Sequence, residues 1–168
     1  MNVFDELLSI KRFREGQAEQ AVARQRKLLA EAERLREQAR EELARFCAWA
    51  RQRELDLYGD LCRRIVRVRE IEDVMQDVGD MRAGERTRET QADEAAAQAR
   101  REAETLEQRR QSHRQATRMT EKFLELVRLD LEDFLKETEH KEDLEMEEAA
   151  AAARERVDWD VQEEAQAS

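Results

Sequence analysis

The chain has 168 residues and a formal net charge of −10; 43% of its residues are charged and only 5% are aromatic. Without proline and with four glycines, this composition argues against a globular domain with a deep core and is typical of long helices or a coiled coil. No apolar run approaches the roughly 20 residues of a membrane span, so we expect no membrane insertion.

The charge is unevenly distributed along the chain. From Asp130 to Ser168 there are fifteen acidic and four basic residues, a net of −11, which leaves about +1 for the preceding part. Because nucleic-acid binding usually needs a concentrated basic face, we expect no nucleic-acid partner. The sequence predicts an all-α fold, a long antiparallel two-helix coiled-coil hairpin over 1–153 with a flexible acidic C-terminal tail over 154–168.

The first predicted helix runs from about Val3 to Cys62. Its apolar residues recur at steps of three and four, as a coiled-coil seam requires. One local irregularity, between Ala39 and Phe46, reads as a stutter that unwinds the supercoil slightly. The predicted seam is Phe4, Leu7, Lys11, Arg14, Ala18, Ala21, Gln25, Leu28, Ala32, Leu35, Ala39, Leu43, Phe46, Ala50, Leu57 and Leu61.

The turn between the two helices is predicted at 63–68, with 79–84, which begins and ends on glycine, as the alternative. Ile65, Val66 and Val68 belong to a cluster of β-branched residues, which lose side-chain freedom in a helix. A turn buries its side chains poorly, so an apolar turn is unusual. We therefore predict that these three residues form an exposed apolar tip that docks on a partner.

The second predicted helix begins near Arg69 and runs at least to Thr138. With the turn at 63–68, the numbers of facing residues add up to about 131, so that Leu28 faces Ala103; the alternative turn gives about 163. The predicted seam of this helix is Ile71, Val74, Val78, Met81, Arg88, Ala92, Ala95, Ala99, Ala103, Leu106, His113, Thr117, Thr120, Leu124, Val127 and Leu131.

No set of residues has the spacing of an active site, a metal site or a phosphate loop. His113 and His140 lie far apart without cysteines or paired carboxylates at ligand spacing, and glycine-rich loops are absent. Cys47 and Cys62, roughly 22 Å apart along one helix, cannot form a disulfide and fit a reducing cytoplasm. We predict no catalytic residues, no cofactor and no metal, and hence a non-enzyme.

A second partner-binding surface is predicted near the chain termini. Apolar residues between 121 and 134 cover more than one face of the second helix, which exceeds what a two-helix seam needs. In the predicted register Leu8, Phe13, Phe123 and Leu126 stay partly on the outer surface, with lysines and arginines around them. Burial in a homodimer, or against the acidic tail, is the alternative.

One run of residues carries a family resemblance. Lys122-Phe123-Leu124-Glu125-Leu126-Val127-Arg128, followed by an acidic stretch to Glu148, resembles the second-helix signature of the YscO-like proteins of bacterial type III secretion, relatives of the flagellar export protein FliJ. The turn lacks the proline and glycine that some family members carry there. Further similarity lies at Ile10-Lys11, Arg14, Trp49, Tyr58 and Arg64 to Glu72.

The resemblance implies a cytoplasmic stalk similar to the central stalk of rotary ATPases. Family members associate with the hexameric secretion ATPase, with the cytoplasmic ring of the export gate and with secretion chaperones. By resemblance, the tip would contact the gate ring and the second surface would contact the ATPase. We expect a monomer in the bacterial cytoplasm, peripheral at the inner-membrane apparatus, or a protein that is itself secreted. The alternatives are a self-associating scaffold and a chaperone-binding module.

Overall fold

Two long α-helices make up the computed structural model, which describes residues 3–166 apart from the side chain of Glu164. Helix α1 spans Val3–Arg63 and helix α2 spans Val68–Gln166. Residues 3–166 contain no β-strand. The predicted all-α helical hairpin is therefore confirmed.

The local sequence explains why the helices are so long. Neither contains a proline, and both are rich in Ala, Glu, Arg and Leu, the residues with the highest helix propensity. Asp5 and Glu6 lie in the first turn of α1, and Arg63 lies in its last turn. These charges complement the helix dipole, which is positive at the N-terminus and negative at the C-terminus.

The chain divides into two compact units, each containing part of both helices. Unit 1 consists of Met1–Arg14 and Ala116–Ser168, of which 3–14 and 116–166 are described, and unit 2 consists of Glu15–Gln115. Over residues 3–166, neither helix has an apolar stretch long enough to cross a bilayer.

Side-chain contacts in unit 2 give the direction and register of pairing. The Gln25 amide donates a hydrogen bond to the backbone oxygen of Glu102 at 3.1 Å, and the Cys47 thiol donates one to Glu85 at 2.9 Å. As the residue number rises along α1, the number of its partner falls along α2, so the segments are antiparallel. The numbers of the paired residues add up to 127 and 132, close to the predicted 131.

Residues 64–67 join the helices. They fall within the segment 63–68 favoured by the sequence, whereas both Gly79 and Gly84 lie inside α2. The β-branched cluster therefore marks the turn better than the glycines do.

A buried cluster lies in the part of unit 2 nearer the turn. Ala50, Val78 and Met81 are buried, and half-buried residues pack around them. Those surrounding residues are Phe46, Leu57 and Val74. The cluster is thin because two helices can enclose only the side chains of a single seam.

Most of the predicted seam of α1 in unit 2 is buried or half-buried, but between 21 and 36 one position of each repeat is shifted by one residue. Val22 is buried and Leu29 is half-buried, whereas Leu28 is 54% exposed and Leu35 is 47% exposed. Val22 and Leu29 share one seven-residue repeat with three further buried or half-buried residues, Leu43, Ala50 and Leu57. This repeat passes through 39–46 without a stutter. The predicted seam needed one there because it included Leu35. In α2, Glu102 replaces the exposed Ala103 in the seam.

Beyond Asp130, the described side chains of α2 are exposed except for half-buried Thr138. Residues 154–166 of the acidic tail expected over 154–168 are helical. Five consecutive alanines at 149–153, with no glycine or proline after them, favour continuation of the helix. Residues 167 and 168 lie outside the described part, and the mobility of the tail stays a prediction.

Gly84 and Gly79 should respond in opposite ways to substitution by alanine. A Cβ at Gly84 would lie 2.9 Å from Cζ of Phe46, whose ring carries the Arg88 guanidinium at 3.9 Å, whereas a Cβ at Gly79 meets nothing within 4 Å. Gly79→Ala should therefore raise the free energy of unfolding by about 1 kcal/mol. The free energy of unfolding of Gly84→Ala should be about 1–3 kcal/mol lower than that of Gly79→Ala, since the Phe46 ring must move.

Urea unfolding followed by far-ultraviolet circular dichroism measures both changes, with Gly79→Ala as the matched control. Equal stabilisation by the two alanines would show that the Phe46 ring does not depend on the space at Gly84.

Candidate functional site

The turn presents its apolar side chains to solvent unequally. Ile65 is fully exposed and Val68 is 72% exposed, while Val66 is half-buried. All three predicted tip residues thus lie at the turn, but Ile65 and Val68 supply most of its free apolar surface.

Hydrogen bonds centred on Glu70 hold the turn in place. The Glu70 carboxylate accepts one from the backbone N–H of Arg67 at 2.7 Å and one from the Arg64 guanidinium at 2.8 Å. Arg64 also pairs with Asp60, in the last turns of α1, at 3.3 Å. Glu70 is the third residue of α2 and bonds back to the residue preceding the helix, as in half of a capping box. Arg64 therefore ties the end of α1 to the start of α2.

These bonds shift the ionisation of both partners. The Arg67 N–H and the Arg64 guanidinium hold the pKa of Glu70 below its usual value, because both stabilise the carboxylate. The same bond to Glu70 raises the pKa of Arg64. The turn is thus most strongly clamped when Glu70 is ionised.

The tip is cationic as well as apolar. Arg63, Arg64, Arg67 and Arg69 lie within four residues of Ile65 and are exposed, and Glu70 offsets one of their charges. An apolar centre with a charged rim is the usual anatomy of a binding surface. The complementary partner surface would have an apolar pocket with acidic residues around it.

Leu8 was assigned wrongly to the second surface. Its side chain is only 7% exposed, so it belongs to the seam of unit 1. The reason is the phase of the repeat: Phe4, Leu8 and Lys11 form the buried side of α1 here, and Leu7 takes the flanking position that we had expected for Leu8.

Phe123 is half-buried and packs against the other helix of unit 1. The Lys11 ammonium lies 5.2 Å from the centroid of the Phe123 ring, within the range of a cation–π interaction. Phe123 is therefore a seam residue that remains partly exposed. Lys11 was a polar residue of the predicted seam, and its contact with Phe123 shows that it lies in the seam.

Phe13 and Leu126 are exposed, as predicted, but they do not share a face. Phe13 is 66% exposed and follows Lys11 by two residues, about 200° around the helix, so it points away from α2. Val3 and Ile10 are also exposed apolar residues on that outer face of α1. Leu126 follows Phe123 by three residues and lies on the flank of the α2 seam.

The sequence-based prediction missed Val3 and Ile10. Both lie on the side of α1 that carries Phe13. Ile10, for example, precedes Phe13 by three residues, and residues three apart share a helix face. The second surface thus comprises an outer stripe on α1 (Val3, Ile10 and Phe13) and Leu126 beside the α2 seam.

Within residues 3–166, no group of three or more His, Cys, Asp or Glu side chains is arranged to hold a metal ion. Both cysteines are free, with Cys62 exposed and Cys47 half-buried. The hydrogen bond from the Cys47 thiol to Glu85, together with burial, raises the pKa of Cys47, which makes this thiol a poorer nucleophile.

The profile of the family described as Type III secretion protein YscO matches residues 4–152. The chain belongs to this family. The resemblance carried by the run 122–128 is thereby confirmed, and both candidate surfaces lie within the family-matched region except for Val3. A comparison with curated proteins gives no match.

A solved structure of a YscO protein has a similar fold. The crystal structure of type III secretion protein YscO from Vibrio parahaemolyticus superposes with a TM-score of 0.81 at 26% sequence identity, over 86% of this chain and 91% of the Vibrio chain. The two-helix architecture of this YscO-family chain therefore matches that of a secretion protein along most of its length.

Replacing Leu8 and Phe13 by alanine should separate the seam from the outer surface. Leu8→Ala removes a buried side chain and should cost about 2–3 kcal/mol of unfolding free energy. Phe13→Ala removes an exposed one and should change it by less than about 0.5 kcal/mol. Urea unfolding measures both; a cost at Phe13 as large as that at Leu8 would place Phe13 in an interface.

The clamp on the turn should depend on pH through Glu70. Since its folded pKa is lowered, its contribution to stability is present above the unfolded value of about 4.3 and is lost as pH falls through the folded value. Glu70→Gln should therefore lower the thermal midpoint at neutral pH, and the difference from the unmodified protein should close in acid.

The control is Glu72→Gln, which removes the same charge from an exposed residue of the same helix and should leave the midpoint nearly unchanged. A gap between the unmodified protein and Glu70→Gln that stays constant from neutral pH to acid would rule out the ionised clamp.

Proposed function

We propose that this protein is a non-enzymatic central stalk of a bacterial type III secretion export apparatus. In this role it links the hexameric secretion ATPase to the cytoplasmic ring of the export gate. Membership of the family supports a role in type III secretion. The observation that carries the link to a second component is the fully exposed Ile65 on a turn clamped by Glu70.

The tip is proposed to contact the gate ring. An exposed isoleucine in water is unfavourable by about 1.5–3 kcal/mol relative to burial, and a clamped turn lowers the entropy lost when it docks. Ile65 and Val68 would enter an apolar pocket, while the arginines beside them pair with acidic residues around that pocket.

The second surface is proposed to contact the ATPase hexamer. Phe13 points away from α2, whereas Leu126 lies beside the α2 seam. A partner that touches both must therefore reach around the helix pair of unit 1. A ring that encloses the pair can contact several faces at once, which a flat docking surface cannot do.

The protein would act in the bacterial cytoplasm, peripheral to the inner-membrane secretion apparatus, and would also receive secretion chaperones. The exposed leucines of unit 2, Leu28 and Leu35, favour the alternative of a self-associating scaffold. Light scattering distinguishes the two: the stalk is a monomer alone, whereas the scaffold forms oligomers whose size grows with protein concentration.

The double variant Ile65→Asp/Val68→Asp tests the tip. Both side chains are exposed, so helicity should be retained, whereas placing two carboxylates in an apolar pocket should weaken binding to the purified gate-ring domain by at least about a hundredfold. Surface plasmon resonance or anisotropy would measure it.

The matched control is Leu28→Asp/Leu35→Asp, which adds the same charge at exposed apolar residues outside the turn. Unchanged gate-ring affinity in the tip variant would refute the proposed contact. Equal losses in both double variants would show that charge alone, not the tip, determines binding.

A further inference from the structure

In unit 1, helix α2 extends past the level of Val3, the first described residue of α1. The numbers of Lys11 and Phe123, which are in contact, add up to 134, so antiparallel pairing places Val3 opposite Leu131. Helix α2 nevertheless continues to Gln166. One seven-residue step from Val127 leads to Phe134, which lies past the level of Val3, the first described residue of α1.

A groove with an apolar floor lies at this end of the helix pair. Val127, Leu131 and Phe134 line it. Phe134 and Leu131 are both more than half exposed, and Val127 is half-buried. The spacing of these three residues, i, i+4 and i+7, is that with which one helix packs against another.

The remaining residues lining the groove are all acidic. Asp5 contributes from α1, and Asp130, Asp133 and Glu137 contribute from α2. Lys136 approaches Asp133 at 3.9 Å, but both side chains are about three-quarters exposed, and such surface pairs are weak. Acidic residues thus flank the apolar floor of the groove.

The charge of the surrounding helix determines which occupant fits. From 131 to 166 there are fourteen acidic and four basic residues, a net of −10. Two copies of this segment packed together would place like charges side by side, which is unfavourable. A helix that carries lysine or arginine beside its apolar residues would instead pair its charges with those carboxylates.

We propose that the groove at Val127, Leu131 and Phe134 binds a basic amphipathic helix of another protein. The partner helix lies along the groove, against α2 and beside Asp5 of α1. Its apolar residues pack on the floor of the groove, and its lysines or arginines face Asp5, Asp133 and Glu137. This is helix-in-groove recognition, and it is distinct from the tip and from the second surface.

The test uses the full chain and two fluorescein-labelled synthetic peptides about three heptads long. Both carry leucine at the seam positions; one carries lysine at the flanking positions and the other carries glutamate there. Fluorescence anisotropy should show saturable binding of the lysine peptide, weakened by added salt, and no binding of the glutamate peptide. Equal binding of the two peptides, or failure of the lysine peptide to bind, would overturn the proposal.

Two double variants locate the site. Leu131→Ser/Phe134→Ser should weaken binding of the lysine peptide by about tenfold or more. Asp133→Asn/Glu137→Gln should weaken it by about tenfold and reduce its salt dependence. Leu28→Ser/Leu35→Ser, at exposed leucines of unit 2, is the control and should change nothing. Since all these side chains are exposed, helicity by circular dichroism should be equal in the three variants.

Loss of binding in the control as large as that in the groove variants would contradict the assignment of the site. Sedimentation equilibrium supplies the other check. A dimer of the unmodified chain that dissociates in Leu131→Ser/Phe134→Ser, and that the lysine peptide does not disrupt, would identify a second copy as the occupant and overturn the proposal.

Discussion

The packing of one narrow seam against another is the constraint on which the rest of this structure depends. Two helices can cover only one face of each other, and within residues 3–166 no large side chain is less than 2% exposed. The buried apolar residues are few and mostly small: Leu8, Val22, Ala32, Ala50, Val78, Met81, Ala99 and Leu106. The other faces of both helices are left for solvent or for partners.

Polar and aromatic contacts fix the register of a seam that is otherwise almost uniform. Buried Gln25 donates to both the backbone and the carboxylate of Glu102. The Phe46 ring needs the space left by Gly84. A slip of the pairing would separate both contacts and leave the Gln25 amide buried without its partner, at a cost of about 1–3 kcal/mol. A fixed register in turn holds the turn at 64–67, where Glu70 and Arg64 clamp it.

Periodicity predicted the helices, the region of the turn and the α1 seam from Ala39 to Leu61. Nearer the N-terminus it could not decide which residue of an adjacent apolar pair is buried. Apolar residues stand in adjacent pairs, as at Leu7-Leu8 and Leu28-Leu29, so either member satisfies steps of three and four. The repeat Leu43, Ala50 and Leu57 decides which member of each pair is buried. Seven-residue steps towards the N-terminus from Leu43 reach Leu29 and Leu8, not Leu28 and Leu7. The capping role of Glu70 was also readable from its position, whereas its bond to Arg64 required the folded turn. The helix beyond Ala153 follows from local helix propensity. The sequence-based prediction gave this propensity too little weight and expected a flexible tail.

Intramolecular disulfide trapping tests the seam most directly. In a background with Cys47→Ser and Cys62→Ser, the variant Gln25→Cys/Glu102→Cys joins two positions in contact across the seam. The variant Leu28→Cys/Ala103→Cys joins two exposed positions that only the other phase would bring together. Mild oxidation should cross-link the first pair within the monomer, visible on a non-reducing gel, and leave the second pair reduced. Cross-linking of the second pair in preference to the first would contradict the seam from which the free surfaces were assigned.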